Sequence, residues 1–247
     1  METQKHNVDV FSQDVADGGG YVYTGERLSS VLANTRITEA MAELYPLTGK
    51  RLLDLGCGDG TYSLDLLRYG AGFVLGVDPS ETAVAVAAKK ADKVALADKV
   101  RFQAGNIYDL SLDESFDCIV LRGVLHHLPD AAKALKAISP LSNNVLIIEP
   151  NGNNPILKII EKASRYHQEH EEQSFSPRLI RKWCKAAGFE ITVKSLFVNL
   201  VPMFCPDWMA RLLKLVEPVV ERLPIIRNIC CGQYIILASR ANTVKVK

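Results

Sequence analysis

The run Leu52-Leu53-Asp54-Leu55-Gly56-Cys57-Gly58-Asp59-Gly60 constrains this chain more than any other segment. A mostly apolar strand is followed by glycines at alternate positions, where the backbone is free to take positive φ angles. A helix then starts at Thr61 or Tyr62. Lacking Cβ atoms, Gly56, Gly58 and Gly60 also let a ligand come close to the main chain. Such a strand–turn–helix junction belongs to an open α/β sheet, in which ligands bind beyond the carboxyl ends of the strands.

The segments around it fit that architecture. Apolar runs at 51–55, 73–78, 100–103, 116–121 and 145–149 read as strands. Helical patterns alternate with them at 62–69, 80–96 and 131–138, with Ser80 as a capping residue after Pro79. A further helix, 177–187, stops at Gly188 and leads into a β-branched stretch, 189–193, and 234–238 reads as a last buried strand. The expected fold is a Rossmann-like, doubly wound, mostly parallel seven-stranded α/β sheet with helices on both faces. Residues 1–46 are expected to form an N-terminal lid or helical segment, and 47–247 the core, with a helical insertion at 202–229.

Charge narrows the partners. Twenty-nine Lys and Arg against 28 Asp and Glu leave a net charge of +1. A chain that grips long nucleic acid usually carries a basic surplus, so none is expected here. The apolar runs are far shorter than the roughly 20 residues of a membrane span. The first 17 residues have no apolar core like that of a secretory signal. The six cysteines include no C-x-x-C pair, and together these features suggest a cytoplasmic protein.

Two ligands compete for the glycine loop. A dinucleotide fingerprint needs glycine at its first, third and sixth positions, but the sixth position here is Thr61. Asp54, two residues before Gly56, suits a cationic amino group better than a pyrophosphate. A second acid, Asp78, ends the next strand about 20 residues on, where a carboxylate accepts both ribose hydroxyls.

The pattern apolar-Asp-apolar-Gly-x-Gly-x-Gly resembles the first motif of class I S-adenosylmethionine-dependent methyltransferases, of the small-molecule type. Val100-Arg101-Phe102-Gln103-Ala104-Gly105-Asn106-Ile107 is similar to that family's adenine segment, with Asn106 where many members carry Asp. Phe116-Asp117 and the strand after it resemble the family's fourth piece. The resemblance implies S-adenosylmethionine as cofactor and S-adenosylhomocysteine as product. It also implies cofactor contacts from Asp54, Gly56, Cys57, Gly58, Gly60, Asp78, Pro79, Asn106 and Ile107. Tyr21, Tyr23 and Arg27, after Gly18-Gly19-Gly20, are expected to close over the methionine end as a lid, and Arg122 to meet a carboxylate.

Leu121-Arg122-Gly123-Val124-Leu125-His126-His127-Leu128-Pro129 lacks the Pro-Pro-aromatic signature of enzymes that methylate bases. Its His-His-Leu form resembles methyltransferases of small molecules, lipids and quinones. His126 or His127 is the expected general base, since histidine titrates near neutrality. Glu149, Asn151, Asn154, His167 and His170 are the expected substrate contacts, and no metal is expected although His167, His170 and Glu171 share a helical face.

The insertion carries one more pattern. Trp208, Met209, Leu212, Leu215, Val216, Val219, Val220 and Leu223 fall within about 140° of a helical wheel. The expectation is core or homodimer packing for this face, with an amphiphilic substrate or peripheral membrane contact as other occupants. The function expected is methyl transfer to a small-molecule or lipid-like acceptor, by a monomer or homodimer. An NAD(P)-dependent oxidoreductase and a non-catalytic S-adenosylmethionine-binding module are the rivals.

Overall fold

A computed structural model of the chain describes residues 20–94, 96–163 and 174–240, with Val8, Ser12, Gln13 and Val15 before them. Seven strands build one sheet: β1 (Arg51–Leu55), β2 (Phe73–Asp78), β3 (Val100–Ala104), β4 (Cys118–Arg122), β5 (Asn144–Pro150), β6 (Glu190–Val198) and β7 (Gln233–Ser239). Their spatial order is β3-β2-β1-β4-β5-β7-β6. The first five run parallel, and β7 lies antiparallel between β5 and β6. The Rossmann-like α/β expectation holds.

Neighbouring residues of each strand face opposite sides of the sheet, and each side is covered. Leu53, Leu75, Ile119 and Ile147 point into one core, shared with α4 (Ala131–Ile138) and α6 (Pro177–Ala186). Leu52, Val74, Val120 and Leu146 point into the other. That side is closed by α1 (Leu28–Leu44), α2 (Thr61–Arg68) and α3 (Glu81–Lys93). Strands buried on both faces explain why they read as nearly continuous apolar runs. Burying a Leu of this kind contributes about 1.5–3 kcal/mol.

Local signals place the helix ends. Ser80 Oγ accepts the Ala83 N–H at 3.1 Å, which starts α3 as expected. Past α6, Gly188 takes a φ of 87°, and the Phe189 N–H reaches back to the Cys184 carbonyl. That is a Schellman-type stop. Three further α-helices are described: α5 (Pro155–Ala163), α7 (Asp207–Arg222) and α8 (Pro224–Cys230). The last two lie between β6 and β7.

Of the packings expected for the insertion's apolar stripe, burial in the core is overturned for most of it. Most of the apolar stripe of α7 stays out of the core: Trp208, Leu212, Leu215, Val216, Val219 and Leu223 are exposed, while Val220 at its edge packs against the core. The side turned inward carries Ala210 and the acids Glu217 and Glu221. Glu217 accepts the Leu200 N–H, and Glu221 accepts the Asn199 N–H, both at 2.9 Å. Glu221 also makes a bidentate pair with Arg36 of α1. Hydrogen-bond demand at the 199–200 turn, rather than apolar burial, sets which face of α7 looks in.

Candidate active site

The chain runs from β1 to β2 and β3 on one side, then crosses to β4 and β5 on the other. At that reversal the loops after β1 and β4 part, and a cavity of about 440 Å³ opens beyond the carboxyl ends of the strands. This is the position where open α/β folds bind ligands. Gly56, Cys57 and Gly58 form its floor, and Asp78, Pro79, Asn106 and Ile107 one wall. Arg122, Gly123, His126 and His127 form the wall opposite, after β4.

The glycines at the floor are required by packing as well as by backbone angle. A Cβ on Gly56 (φ 74°) would meet Val124 at 2.6 Å, and one on Gly58 (φ 53°) would meet the Tyr21 ring at 2.3 Å. Asp78 is buried at the end of β2. Its carboxylate accepts the N–H groups of Gly58 and Ser80, each at 2.9 Å. Burial pushes its pKa up, opposed by those two hydrogen bonds. Asp78 therefore shapes the loop while facing the cavity.

Arg122 is buried with neutral partners. It donates to Thr38 Oγ1 at 2.9 Å and to Asn34 Oδ1 at 3.1 Å, and its guanidinium lies 3.6 Å from the Tyr62 ring centroid. Burial draws its pKa down. Among the described residues no carboxylate forms an ion pair with it: its close contacts are dipoles and an aromatic face, and the charges of Asp65 and Asp54 act on it from beyond ion-pair distance. A ligand carboxylate suits it.

His126 and Glu149 form a pair that the sequence did not link. Glu149 lies at the end of β5, fully buried, with one oxygen 2.7 Å from His126 Nδ1. Its other oxygen accepts the N–H groups of Val124 and Leu125, at 3.0 and 2.8 Å. The carboxylate thus organises the turn and orients the imidazole. With Nδ1 held as a donor, Nε2 is the basic nitrogen. The His127 ring packs on His126, with centroids 3.9 Å apart.

Asp59 is a site residue that sequence reasoning missed. Buried in the glycine loop, it accepts the Tyr21 N–H at 3.0 Å, the Thr24 hydroxyl at 2.7 Å and the Lys90 ammonium at 2.7 Å. Burial works against its charge, but Lys90 and these donors outweigh that and hold its pKa below the usual value. Tyr21 and Tyr23 are thereby fixed at the cavity, and Ser12 reaches Ser80 at 2.7 Å. Asp59 pins the N-terminal segment over the loop. Its position between two glycines was visible; its partners, 31 to 38 residues away, were not.

Several expected contacts stand elsewhere. Asp54 does not line the cavity: it is buried behind the loop, where Ser63 Oγ donates to it at 2.5 Å. Burial pushes its pKa up to about 6, against the opposing effects of Ser63 and Arg122. Gly60 also lies away from the cavity lining, at the start of α2. Arg27 is exposed and sits 5.7 Å from the Phe204 ring centroid instead of reaching inward. Glu149 and Asn151 stand behind the wall rather than on it, and Asn151 spends its amide on the carbonyls of Asn228 and Cys231. Asn154 touches the cavity, but its Oδ1 caps α5 by accepting the N–H groups of Ile156 and Leu157. His167, His170 and Glu171 lie outside the described residues, as do Gly18 and Gly19. Among the described residues no cluster of metal-binding side chains occurs.

The far end of the cavity is built by the segment before α7. Asn199 and Phe204 both line it, with φ angles of 66° and 68°. A bulky residue held at positive φ is strained, and such strain concentrates at functional sites. Among the described residues the buried Asn199 Oδ1 and Gln233 Oε1 find no hydrogen-bond partner, and both residues line the cavity. These are acceptors waiting for a donor, which a bound molecule or water can bring.

Residues 47–195 match the family model described as Methyltransferase domain. The chain belongs to that methyltransferase family. A ubiquinone biosynthesis O-methyltransferase of Neisseria meningitidis is 28% identical over 162 residues, 59% of this chain and 66% of that protein. A 27-O-demethylrifamycin SV methyltransferase of Amycolatopsis mediterranei is 37% identical over 100 residues, 40% of this chain and 37% of that protein. The methyltransferase chain thus spans less than two thirds of the length of these curated relatives. Among solved structures, a magnesium protoporphyrin IX methyltransferase from Synechocystis with bound SAM shares the fold, with a TM-score of 0.64 and 18% identity over 98% of each chain. A [4+2]-cyclase also shares it, with a TM-score of 0.65 and 21% identity over 95% of this chain and 93% of its own. This methyltransferase fold hosts more than one chemistry, so the reaction must be argued from the site.

Proposed function

We infer that this protein transfers a methyl group from S-adenosylmethionine to a small, largely apolar acceptor carrying a hydrogen-bond donor. One continuous cavity carries the reading: it is lined by the glycine loop, Asp78 and Arg122 and equally by His126, Asn199, Phe204 and Gln233. The residues present fit the cofactor. Close approach is open at Gly56 and Gly58, Asp78 keeps lone pairs for ribose hydroxyls, and Arg122 offers a buried cation to the methionine carboxylate. Asn106 and Ile107 suit the adenine edge and face. An NAD(P) cofactor fits less well, because nothing compensates the missing third glycine at Thr61.

When bound, the cofactor supplies a methyl group on a positively charged sulfur. The chain's own residues then position, dry and deprotonate. The segment held by Asp59 covers the loop and excludes water. Asn199 and Gln233 orient the acceptor by receiving hydrogen bonds from it. His126 takes the acceptor's proton at Nε2, and the buried Glu149 carboxylate stabilises the resulting imidazolium through Nδ1. In-line placement contributes as much as the base does.

The test is a panel of phenolic, quinol and carboxylate acceptors with radiolabelled S-adenosylmethionine, alongside calorimetry with S-adenosylhomocysteine and NAD. Transfer to at least one class, with S-adenosylhomocysteine binding and no NAD binding, is the expected result. Cofactor binding with no transfer to any acceptor would favour a binding module instead.

A further inference from the structure

We propose that α5, α7 and α8 together form a membrane-docking face, which sets the mouth of the cavity against the surface of an anionic lipid bilayer. The proposal deepens the reading of an apolar acceptor but rests on a surface separate from the cofactor site.

The face is apolar across three helices. On α7, Trp208 is 68% exposed and Leu215 77%, and on α8, Ile225 is 77% exposed. Ile156 and Ile159 of α5 are exposed to a similar degree. Scattered exposed residues need no explanation, but a contiguous set of large ones marks an interaction surface. These helices converge: Asn153, beside the start of α5, donates to Asn228 of α8, and Asn154 reaches the carbonyls of Cys230 and Cys231. They also meet the cavity, since Ile156, Ile160 and Phe204 line it while remaining exposed.

Charge selects the occupant. On a 100° wheel the exposed apolar residues of α7 span about 100° of arc, and Arg211 and Arg222 border one edge of it. Both arginines are exposed, as is Lys162 at the end of α5. The acids are withdrawn: Glu217 is buried beside Lys214, and Glu221 pairs with Arg36. Asp207, in the first turn, is the one exposed acid on α7. An apolar stripe with tryptophan and a cationic border is what an interfacial helix presents to anionic lipid. A second copy of the chain fits less well, because a two-fold pairing of this face would bring its cationic border toward itself. No described helix is long and apolar enough to cross a membrane, so the contact is with the surface. An apolar acceptor dissolved in the bilayer would then enter the cavity past Ile156, Ile160 and Phe204 without crossing water.

Flotation with phosphatidylcholine vesicles, with and without phosphatidylglycerol, tests this on the full chain. The protein should float with anionic vesicles. Leu215→Glu combined with Ile225→Glu should abolish flotation, while S-adenosylhomocysteine affinity, measured by calorimetry, stays that of the parent. Arg211→Gln and Arg222→Gln should each weaken binding to anionic vesicles on the order of fivefold. With Trp183→Phe leaving Trp208 as the remaining tryptophan of the two, its emission should shift to the blue on vesicle addition. The proposal is overturned if the parent does not float. It is equally overturned if the double variant floats like the parent, or if its main effect is to split a dimer seen in sedimentation velocity. Loss of cofactor binding in the parent would instead sink the methyl-transfer reading and leave flotation to be judged alone.

Discussion

Glu149 holds His126 by a 2.7 Å contact to Nδ1 from a fully buried position behind the cavity wall. Glu149 lies near the end of β5, and His126 in the turn that follows the adjacent parallel strand β4. The same carboxylate fixes the turn that carries the histidine. A base of this kind is positioned, and its tautomer set, before any acceptor arrives.

That pair makes a kinetic prediction. His126→Gln should slow single-turnover methyl transfer by about 10²-fold or more, with S-adenosylhomocysteine affinity nearly unchanged. Glu149→Gln keeps the shape but loses the anion, so it should lower kcat more than it raises KM. If both variants keep the parent's single-turnover rate, the pair serves the loop alone.

Asp54 makes a prediction about stability. Its folded-state pKa is raised from 3.8 to about 6, chiefly by burial, so the folded chain favours the protonated acid. The stability this contributes is fully present below about pH 4 and is lost as pH rises through about 6. Above that range the buried charge costs on the order of 3 kcal/mol. Asp54→Asn should therefore melt higher than the parent at pH 8, with the difference shrinking as pH falls toward 4. Thermal unfolding of the ligand-free protein across that range is the measurement, and a difference independent of pH would refute the assignment.

Arg122 should matter for the cofactor rather than the fold. Arg122→Met retains length and apolar contact with Tyr62 while removing the cation. Binding of S-adenosylhomocysteine should weaken by about 1.5–3 kcal/mol, roughly 10- to 100-fold, from the lost charged hydrogen bonds. A decarboxylated analogue of the cofactor should bind parent and variant alike. An equal loss for the analogue would assign Arg122 to the architecture of Asn34 and Thr38 instead.

Asp59 predicts a rate effect. Asp59→Asn removes the charge that Lys90, Thr24 and the Tyr21 N–H converge on, so the covering segment should open more often. Dissociation of S-adenosylhomocysteine should quicken by about tenfold, at the strength of one charged hydrogen bond. Proteolytic sensitivity near residues 12–27 should rise with it. Stopped-flow displacement and limited proteolysis give the two readouts, and an unchanged dissociation rate would separate Asp59 from cover closure.

The central sheet and the glycine loop were legible in the sequence because they depend on near-neighbour chemistry. Alternate residues of a twice-covered strand are all apolar, and a tight strand–helix turn demands glycine where φ is positive, as at Gly56 and Gly58. Ser80 and Gly188 announced helix ends for the same local reason. What the sequence could not show was which long-range partner each polar group would find. Asp59 looked like a loop residue until Tyr21, Thr24 and Lys90 met it, and Glu149 looked like a substrate contact until His126 claimed it. The stripe of α7 is the sharpest case: its period foretold an amphipathic helix, yet not which face would look inward. The tertiary structure decided that through Glu217 and Glu221, whose carboxylates satisfy the N–H groups of a strained turn at 199–200 and a half-buried arginine, Arg36. Leaving those donors unpaired would cost about 1–3 kcal/mol apiece, so hydrogen-bond satisfaction turned the acids in and the apolar stripe out.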